Sequence, residues 1–302
     1  MTDVLVAGHV NWDVTLVADR LPGADEEAVI RERHRNGGGS AANVASGLAA
    51  LSVEPTLLGS VGDDEPGRLV RESLAERGVD VDGVQIVSGE TSTKYLLVTG
   101  EDVSVLGLDG VNEALDPEDV GAEDVADVDH VHLTGQRVGT AERLAALAVE
   151  AGCSVSLDPG RRAGERAFDG VMNHVDLVFG TDREIAALFD ESGTDRDDEG
   201  RTEGGTETVT PDDAIVVETN GAGGATCCDP ASGEHSHPGF EVEAVDTTGA
   251  GDAFVAGFLS VWLDGGEHGR ALEVGNACGA IASRQVGARC DLDPDVLASF
   301  LE

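Results

Sequence analysis

Short apolar runs typical of buried strands alternate with helical segments along much of this chain. The clearest series has strands near His130–Leu133, Ser154–Asp158, Leu177–Phe179 and Ala214–Glu218, and helices near Thr140–Ala151, Glu165–Met172 and Asp182–Phe189. Such alternation predicts a parallel sheet with helices packed on both faces. The sequence therefore predicts an α/β fold, a three-layer α/β/α sandwich with a mostly parallel sheet, formed as a single domain by residues 1–302.

Two segments interrupt this alternation. Short strands are expected at Val84–Val87, Lys94–Val98 and Val103–Leu106 with no helix between them, and residues 14–36 contain further short extended pieces. We expect these segments, about 13–36 and 84–111, to form a small antiparallel β-sheet that serves as a lid and pairs with a second copy in a homodimer. The acidic segment 190–213 is expected to be a flexible loop without a chemical role.

The charge of the chain narrows its possible partners. It carries 59 acidic against 19 basic residues, a formal net charge of −40, and Lys94 is its single lysine. A dispersed acidic surface nearly free of lysine predicts adaptation to high salt, where a Debye length of about 3 Å screens the repulsion. The same charge argues against nucleic acid and anionic membranes as partners. The acidic surface thus predicts a halophilic protein. Because the sequence shows neither a membrane-spanning run nor a signal peptide, we also expect it to be cytoplasmic.

The stretch Asp246–Phe254 carries the strongest chemical signal. It reads Asp-Thr-Thr-Gly-Ala-Gly-Asp-Ala-Phe and lies between a strand-like run, Phe240–Val245, and an apolar helical run, Ala253–Trp262. Free backbone N–H groups at the start of a helix suit an anion, and the Asp252 carboxylate suits a hydroxyl that must lose its proton. Together they indicate phosphoryl transfer to an alcohol. The alternative is that Asp252 caps a helix and the glycines form a turn.

A second glycine-rich stretch, residues 36–45, opens a helix that is expected to end near Leu51. Its glycines allow the backbone to approach a ligand closely. It is neither a Walker loop nor a G-x-G-x-x-G dinucleotide fingerprint. Asn11 and Asp13 follow the predicted first strand, Val4–Val10, and lie on one side of an extended chain. Both can therefore face one ligand, although such a pair also forms turns.

Together these motifs resemble the two signatures of the ribokinase/PfkB carbohydrate kinase family, and the resemblance covers nearly the whole chain. The first signature matches Gly38-Gly39-Ser40-Ala41-Ala42-Asn43-Val44-Ala45. The second matches Asp246–Phe254 in full, about 200 residues downstream. The resemblance implies a ribokinase-like fold, a phosphotransferase with an alcohol group as acceptor, ATP and Mg²⁺ as cofactors, K⁺ as an additional cation, and a small sugar or sugar phosphate as substrate.

The resemblance also implies roles for individual residues. It makes Asp252 the general base and Gly249, Ala250 and Gly251 the anion hole. The residues that it places at the sugar are Asn11, Asp13, Gly38, Gly39, Ser40 and Asn43. Those that it places at ATP are Thr219, Asn220, Gly221, Gly223, Gly224 and Asn276. Asp246 and Thr248 resemble part of the monovalent-cation site, together with the backbone of Val286 and Gly287.

One position departs from the family pattern. The family's Asn-x-x-Glu motif, which helps to organise Mg²⁺ and phosphate, should begin near residue 181, where this chain has Thr181-Asp182-Arg183-Glu184. Glu184 is retained and is expected to hold Mg²⁺ through water. The Thr181 hydroxyl is a candidate for the missing amide.

The acceptor is less sharply defined by the sequence. Arg33 and Arg35 precede the sugar-binding loop, Lys94 lies in the expected lid, and Arg161 follows a strand at the same edge of the sheet. Cations that converge in so acidic a chain favour an anionic acceptor, such as ribose 1-phosphate or a fructose phosphate. The alternative is that these side chains only form ion pairs with surface carboxylates, which contribute little stability. Free ribose, 2-keto-3-deoxygluconate and a nucleoside stay open as alternatives, as does a sugar sensor without catalytic activity.

Overall fold

A computed structural model describes residues 2–99, 102–189, 213–289 and 291–302. Its strands are β1 Asp3–Ala7, β2 Asn11–Ala18, β3 Ile30–Gly38, β4 Glu54–Gly62, β5 Val84–Val87, β6 Thr93–Thr99, β7 Asp102–Leu108, β8 His130–Thr134, β9 Ser154–Asp158, β10 Leu177–Thr181, β11 Ile215–Thr219, β12 Ala225–Asp229 and β13 Gly233–His237. Its helices are α1 Ser40–Ala50, α2 Glu65–Glu76, α3 Val138–Ala151, α4 Asp169–Met172, α5 Asp182–Phe189, α6 Ala250–Trp262, α7 His268–Ser283 and α8 Pro294–Phe300.

In the described part of the chain, nine strands form one sheet in the order β13-β12-β11-β10-β9-β8-β1-β4-β5. The pairs from β11 to β5 are parallel, and the two pairs at one edge, β11–β12 and β12–β13, are antiparallel. The predicted α/β fold with a mostly parallel sheet is therefore confirmed. Helices cover both faces, because successive strands return to the sheet through crossover connections.

The core divides along the two faces of this sheet. Val4 and Val6 of β1 pack with α1, α6 and α7 on one face. Leu5 and Ala7 of the same strand pack with α3 and α5 on the other. Alternate residues of a strand face opposite sides, so apolar side chains at every position of β1 bury both faces. This packing fixes the carboxyl ends of the strands, the edge at which Asn11, Asp158 and Thr219 lie.

A second, smaller sheet has the order β3-β2-β6-β7, and we call it the lid. The β2–β3 and β6–β7 pairs are antiparallel, whereas β2 and β6 run parallel. The strand Val84–Val87, expected in this sheet, instead pairs with β4 at the edge of the large sheet, with Val84 beside Gly59. It follows α2, and a strand that returns after a helix joins its predecessor in parallel.

Three other sequence expectations differ locally. Residues 240–245 form no strand; instead the Val245 and Asp246 amides donate to the Ser283 carbonyl at the end of α7. The expected helix 165–172 is shortened to α4, because Arg166 is extended and donates to the Gln136 carbonyl. The first strand ends at Ala7 rather than Val10. The expected flexible loop 190–213 lies outside the described residues except for Asp213.

None of the helices in the described ranges is both long and apolar enough to cross a membrane.

Candidate active site

The turn before α6 offers two amides, those of Gly249 and Gly251, that have no partner among the described residues, whereas the Ala250 amide donates to the Thr247 carbonyl at 3.2 Å. Gly249 is the N-cap residue, has a φ of 79°, and leaves the helix start without a side-chain cap. Asp246 holds this turn from outside, because its Oδ1 accepts from the Thr248 amide and its Oδ2 from the Gly287 amide, both at 2.9 Å. A side chain at Gly249 would overlap the Ala288 carbonyl. The turn is thus shaped for an anion.

Asp252 lies in the first turn of α6 and does not cap it. Its Oδ2 accepts a hydrogen bond of 2.7 Å from Asn43 Nδ2 on α1. Enclosure by protein raises the pKa of Asp252 to about 6, against the lowering effect of the bonds from Asn43 and Ser40 and of the charges on Arg161 and Arg289. The alternative in which this carboxylate serves only as a helix cap is excluded by this geometry.

The side chains of Asn11, Asp13 and Asn43 are buried together at the base of the lid. Asp13 Oδ1 and Asn43 Oδ1 lack hydrogen-bond partners within the described residues. Buried oxygen atoms are rarely left unpaired in native proteins, and both can accept a hydrogen bond from a ligand hydroxyl. A polyhydroxylated ligand would satisfy both oxygen atoms at once.

The glycine loop that precedes α1 is forced close to these carboxylates. Gly39 has a φ of 94°, and a side chain there would overlap the His9 carbonyl. A side chain at Gly38 would overlap the Asp13 carboxylate. Ser40, the first residue of α1, is exposed at the cleft. Glycine is therefore needed at both positions for the loop to enclose a ligand beside Asp13.

Asn112 was not identified from the sequence. Its Nδ2 donates to Asn11 Oδ1, and its Oδ1 accepts from the Val10 amide at 3.2 Å. It therefore fixes which atoms of Asn11 face the cleft. No motif surrounds Asn112, so only the fold could reveal this contact across about 100 residues.

Arg289 was also missed, and it is a buried cation at the same site. Its Nη2 donates to the Gly38 carbonyl at 3.4 Å, whereas Nε and Nη1 have no partner among the described residues. Burial lowers the pKa of this guanidinium to about 10. The only sequence signal was an arginine two residues after Gly287 in a chain poor in basic residues.

The pKa of Asp13 is raised to about 7, chiefly by burial and further by the charges of Asp252 and Asp246, while Arg289 and Lys94 lower it. Asp13 and Asp252 therefore share the positive field of Arg289. Both carboxylates are ionised only above these values.

Of the four sequence-predicted cations of the acceptor site, two lie near the acceptor residues and two do not. Lys94 lies beside Asp13 in the β2–β6 register, and Arg161 is close enough to Asp252 to lower its pKa. Arg33 and Arg35 pair with Leu16 and Val14. Since neighbouring residues of a strand point to opposite faces, these two arginines lie on the lid face away from Asp13.

The predicted nucleotide residues gather at the carboxyl end of β11. Thr219 ends this strand, and residues 220–224 form a tight turn in which the Gly223 amide donates to the Asn220 carbonyl at 2.8 Å. Gly224 has a φ of 88°, and a side chain there would overlap the His237 carbonyl. Gly221 also has a positive φ, of 50°, with open space around it. Asn276 is buried in α7, and its Nδ2 donates to the Leu272 carbonyl, which leaves its Oδ1 and the second N–H of Nδ2 for a ligand.

Thr181 and Glu184 form a reciprocal cap at the start of α5. Glu184 Oε2 accepts from the Thr181 amide at 2.8 Å and from its hydroxyl at 2.9 Å, and the Glu184 amide donates to that hydroxyl. This is the geometry of a capping box. Thr181 thus orients the Glu184 carboxylate through Oε2, and Oε1 remains available.

We expect the acid side of the pH profile to report Asp13 and Asp252. kcat/KM should fall as the pH drops through about 6 to 7, because both carboxylates become protonated there. Replacing Arg289 by Gln removes a positive charge that favours both ionised forms. The acid limb should then move upward by about one pH unit, in initial rates measured at saturating ATP.

The matched control is Arg143→Gln on the exposed side of α3, which removes the same charge far from the cleft. Its acid limb should coincide with that of the unmodified protein. An Arg289→Gln profile that loses rate equally at every pH would show a purely structural role for Arg289.

In sequence, the chain is similar to carbohydrate kinases. A model of the pfkB family of carbohydrate kinases matches residues 1–294. The chain is 51% identical over 307 aligned positions to an ATP-dependent ribose-1-phosphate kinase of Halopiger xanaduensis, covering 100% of this chain and 98% of the relative. It is 26% identical to the ribokinase of Bacillus subtilis, covering 96% of this chain and 95% of the relative.

Solved structures agree on the fold. A ribokinase of Arabidopsis thaliana complexed with ribose and ATP superposes with a TM-score of 0.84 at 22% identity, covering 100% of this chain and 99% of that one. A nucleoside kinase of Methanocaldococcus jannaschii gives a TM-score of 0.84 at 20% identity, covering 100% and 98%. At these identities the likeness concerns architecture, which ribose and nucleoside kinases share.

Proposed function

The chain belongs to the pfkB family of carbohydrate kinases, and from this premise we propose that it transfers the γ-phosphate of ATP to the 5-hydroxyl of ribose 1-phosphate. The observation that carries the reaction type is the Asp252 carboxylate, held by Asn43 beside the uncapped turn at Gly249. The full-length similarity to a ribose-1-phosphate kinase supports the acceptor.

In this proposal the residues divide the work as follows. Asp13 and Asn43 accept hydrogen bonds from ring hydroxyls through their unpartnered oxygen atoms. Asp252 accepts the proton of the 5-hydroxyl as that oxygen attacks phosphorus. The N–H groups of Gly249 and Gly251 stabilise the charge on the transferred phosphoryl group, and the Ala250 amide, which donates to the Thr247 carbonyl, holds the turn between them. The nucleotide lies on the far side of the turn before α6, where it is held by Thr219, the turn 220–224 and Asn276.

The described residues contain no cluster of three or more His, Cys, Asp or Glu side chains that could hold a metal. Mg²⁺ would therefore be carried largely by the phosphates of ATP, with Glu184 Oε1 binding it through water. When bound, it would neutralise phosphate charge. Asp246 and Thr248 would lie at a K⁺ site formed mainly by backbone carbonyls. Both Asp246 oxygens already accept one N–H each, which leaves lone pairs for a cation.

A nucleoside acceptor has less support. A base would need an aromatic surface for stacking, and the candidates in the lid are Trp12 and Tyr95. Tyr95 pairs with Val14, and Val14 lies on the same face of β2 as Trp12, two residues before it. Both aromatic rings therefore lie on the face away from Asp13. Free ribose remains the second candidate, since a ribokinase also matches over nearly the full chain. A sensor would have no use for a preserved Asp252.

The direct test is ADP release from ATP at molar KCl, with ribose 1-phosphate, ribose, fructose phosphates, 2-keto-3-deoxygluconate and nucleosides offered in turn. We expect the highest kcat/KM with ribose 1-phosphate. A higher value with free ribose would overturn the acceptor, and no ADP with any acceptor would revive the sensor. Molar salt is chosen because a net charge of −40 is expected to need screening.

We further propose that the protein is cytoplasmic and that it forms a homodimer through the lid. Its strands expose apolar side chains, including Leu106 at 61%, Val103 at 50% and Tyr95 at 38%. Exposed apolar surface on a sheet commonly marks a protein contact. Light scattering at high salt should give twice the monomer mass.

A further inference from the structure

A group of charged side chains beside the acceptor residues has no role in the steps described so far. It consists of Lys94 on β6, Asp109 and Glu113 in the segment after β7, and Arg162 and Arg166 after β9; we call it the lid-edge cluster. Three of the 19 basic residues of the chain meet here. Basic residues are scarce in this chain, so their meeting beside the acceptor residues calls for an explanation.

The cations of this cluster are loosely held. Lys94 Nζ lies 3.6 Å from Asp109 Oδ1, and the Arg162 guanidinium lies 3.7 Å from Asp109 Oδ2 and 4.0 Å from Glu113 Oε1. These separations exceed those of good hydrogen bonds. The Asp109 side chain is 74% exposed, so solvent screens both of its pairs. Lys94 and Arg162 can therefore exchange Asp109 for another anion at little cost.

Glu113 has a different place in the cluster. It contacts Arg166, which also donates to the carbonyls of Gly135 and Gln136, and His9 lies 3.7 Å away. His9, and after it Arg166, holds the pKa of Glu113 at about 2. Glu113 and Arg166 thus form a tightly held ion pair. The other two cations of the cluster, Lys94 and Arg162, together carry one positive charge more than Asp109 neutralises.

The cluster is joined directly to the acceptor residues. Lys94 lies beside Asp13 in the β2–β6 register and lowers its pKa. Asn112, next to Glu113, donates to Asn11. Arg161, next to Arg162, lowers the pKa of Asp252 through its positive charge. A sugar ring held by Asn11, Asp13 and Asn43 would therefore have the cluster at its edge.

We propose that the lid-edge cluster binds the phosphate of a sugar 1-phosphate acceptor, with Lys94 and Arg162 leaving Asp109 to donate to the phosphate oxygens. Ammonium and guanidinium groups form short, charge-assisted bonds with phosphate. The proposal rests on the proposed function, since it assumes that the acceptor is a sugar phosphate. It assigns the anion to Arg162 and Lys94 rather than to Arg33 and Arg35 on the opposite face of the lid.

The test compares Lys94→Gln and Arg162→Gln with the unmodified enzyme on ribose 1-phosphate and ribose. Each variant should raise KM for ribose 1-phosphate about tenfold or more, because a hydrogen bond to a charged group is lost. KM for ribose should stay within about twofold in Arg162→Gln, since ribose has no phosphate to lose a partner. For Lys94→Gln the same comparison is made at a pH well above 7, where Asp13 is ionised with or without the charge of Lys94. Inorganic phosphate should inhibit the unmodified enzyme in competition with ribose 1-phosphate, and the variants more weakly.

Three further variants make the outcome decisive. Asp109→Asn should lower KM for ribose 1-phosphate, because the competing carboxylate is gone; a raised KM would contradict the exchange. Arg143→Gln on α3 is the control for loss of charge. If Arg33→Gln raises this KM and Arg162→Gln does not, the cluster is overturned in favour of the outer arginines. If the unmodified enzyme does not use ribose 1-phosphate, the proposed function fails before the cluster is tested.

Discussion

Asp252→Asn should lower kcat by about 10² to 10⁴, the usual contribution of a positioned general base. The amide cannot accept the proton of the attacking hydroxyl, but its oxygen can still accept the hydrogen bond from Asn43 Nδ2. KM for the acceptor should therefore change little. The thermal midpoint should stay equal or rise, because burial disfavours the charged form of this side chain. Steady-state kinetics and thermal unfolding of one preparation measure all three quantities.

The control is Asp264→Asn, an exposed carboxylate just beyond the end of α6. It removes the same charge just past the opposite end of α6 and should leave kcat unchanged. Near-normal turnover of Asp252→Asn would sink its role as the base. The reaction would then rely on positioning alone, or on another carboxylate such as Asp158, whose pKa burial raises to about 7.

Gly249→Ala should lower both stability and turnover. At a φ of 79° an L-residue costs about 1 to 2 kcal/mol, and the added methyl would overlap the Ala288 carbonyl. The turn must shift to relieve this overlap, which moves the N–H groups that face the phosphoryl group. We expect a lower thermal midpoint and a loss of about 10² to 10³ in kcat, as when an oxyanion donor is removed.

Gly251→Ala is the informative counterpart, two residues further along. Gly251 is helical, and an added methyl meets no atom within 4 Å. Alanine in a helix is favoured over glycine by about 0.5 to 1 kcal/mol, so the thermal midpoint should hold or rise. Any loss of kcat in this variant would then arise in the open cleft. Equal destabilisation of both variants would contradict the distinct geometry of these two glycines.

The parallel sheet could be predicted because its strands are continuous apolar runs that return through helices. The four-residue strand Val84–Val87 could not be placed in the same way. Its alternating sequence, Val-Gln-Ile-Val, suits the edge of either sheet. Its pairing with β4 depends on the path of α2, which a local pattern does not contain.

In the site, too, some residues could be predicted from local sequence and others depend on the fold. The glycines of both turns could be predicted, since backbone geometry demands that residue type locally. Asp252 and Asn43 could be predicted because they belong to the two sequence motifs. The positions of the cations could not, because the β2–β3 register decides which lid face Arg33 and Arg35 occupy. A shift of one residue would move them to the other face. Arg289 reaches Gly38 across about 250 residues, a contact that no spacing in the sequence announces.

The central claim is that the enzyme phosphorylates the 5-hydroxyl of ribose 1-phosphate. Phosphorus NMR of a completed reaction with ATP tests it most directly, because it identifies the new bond rather than the loss of ATP. We predict ADP and one new phosphomonoester signal split by the two protons of a CH₂ group, with the 1-phosphate signal retained. ADP without a new ester signal, or an ester split by a single ring proton, would contradict the claim.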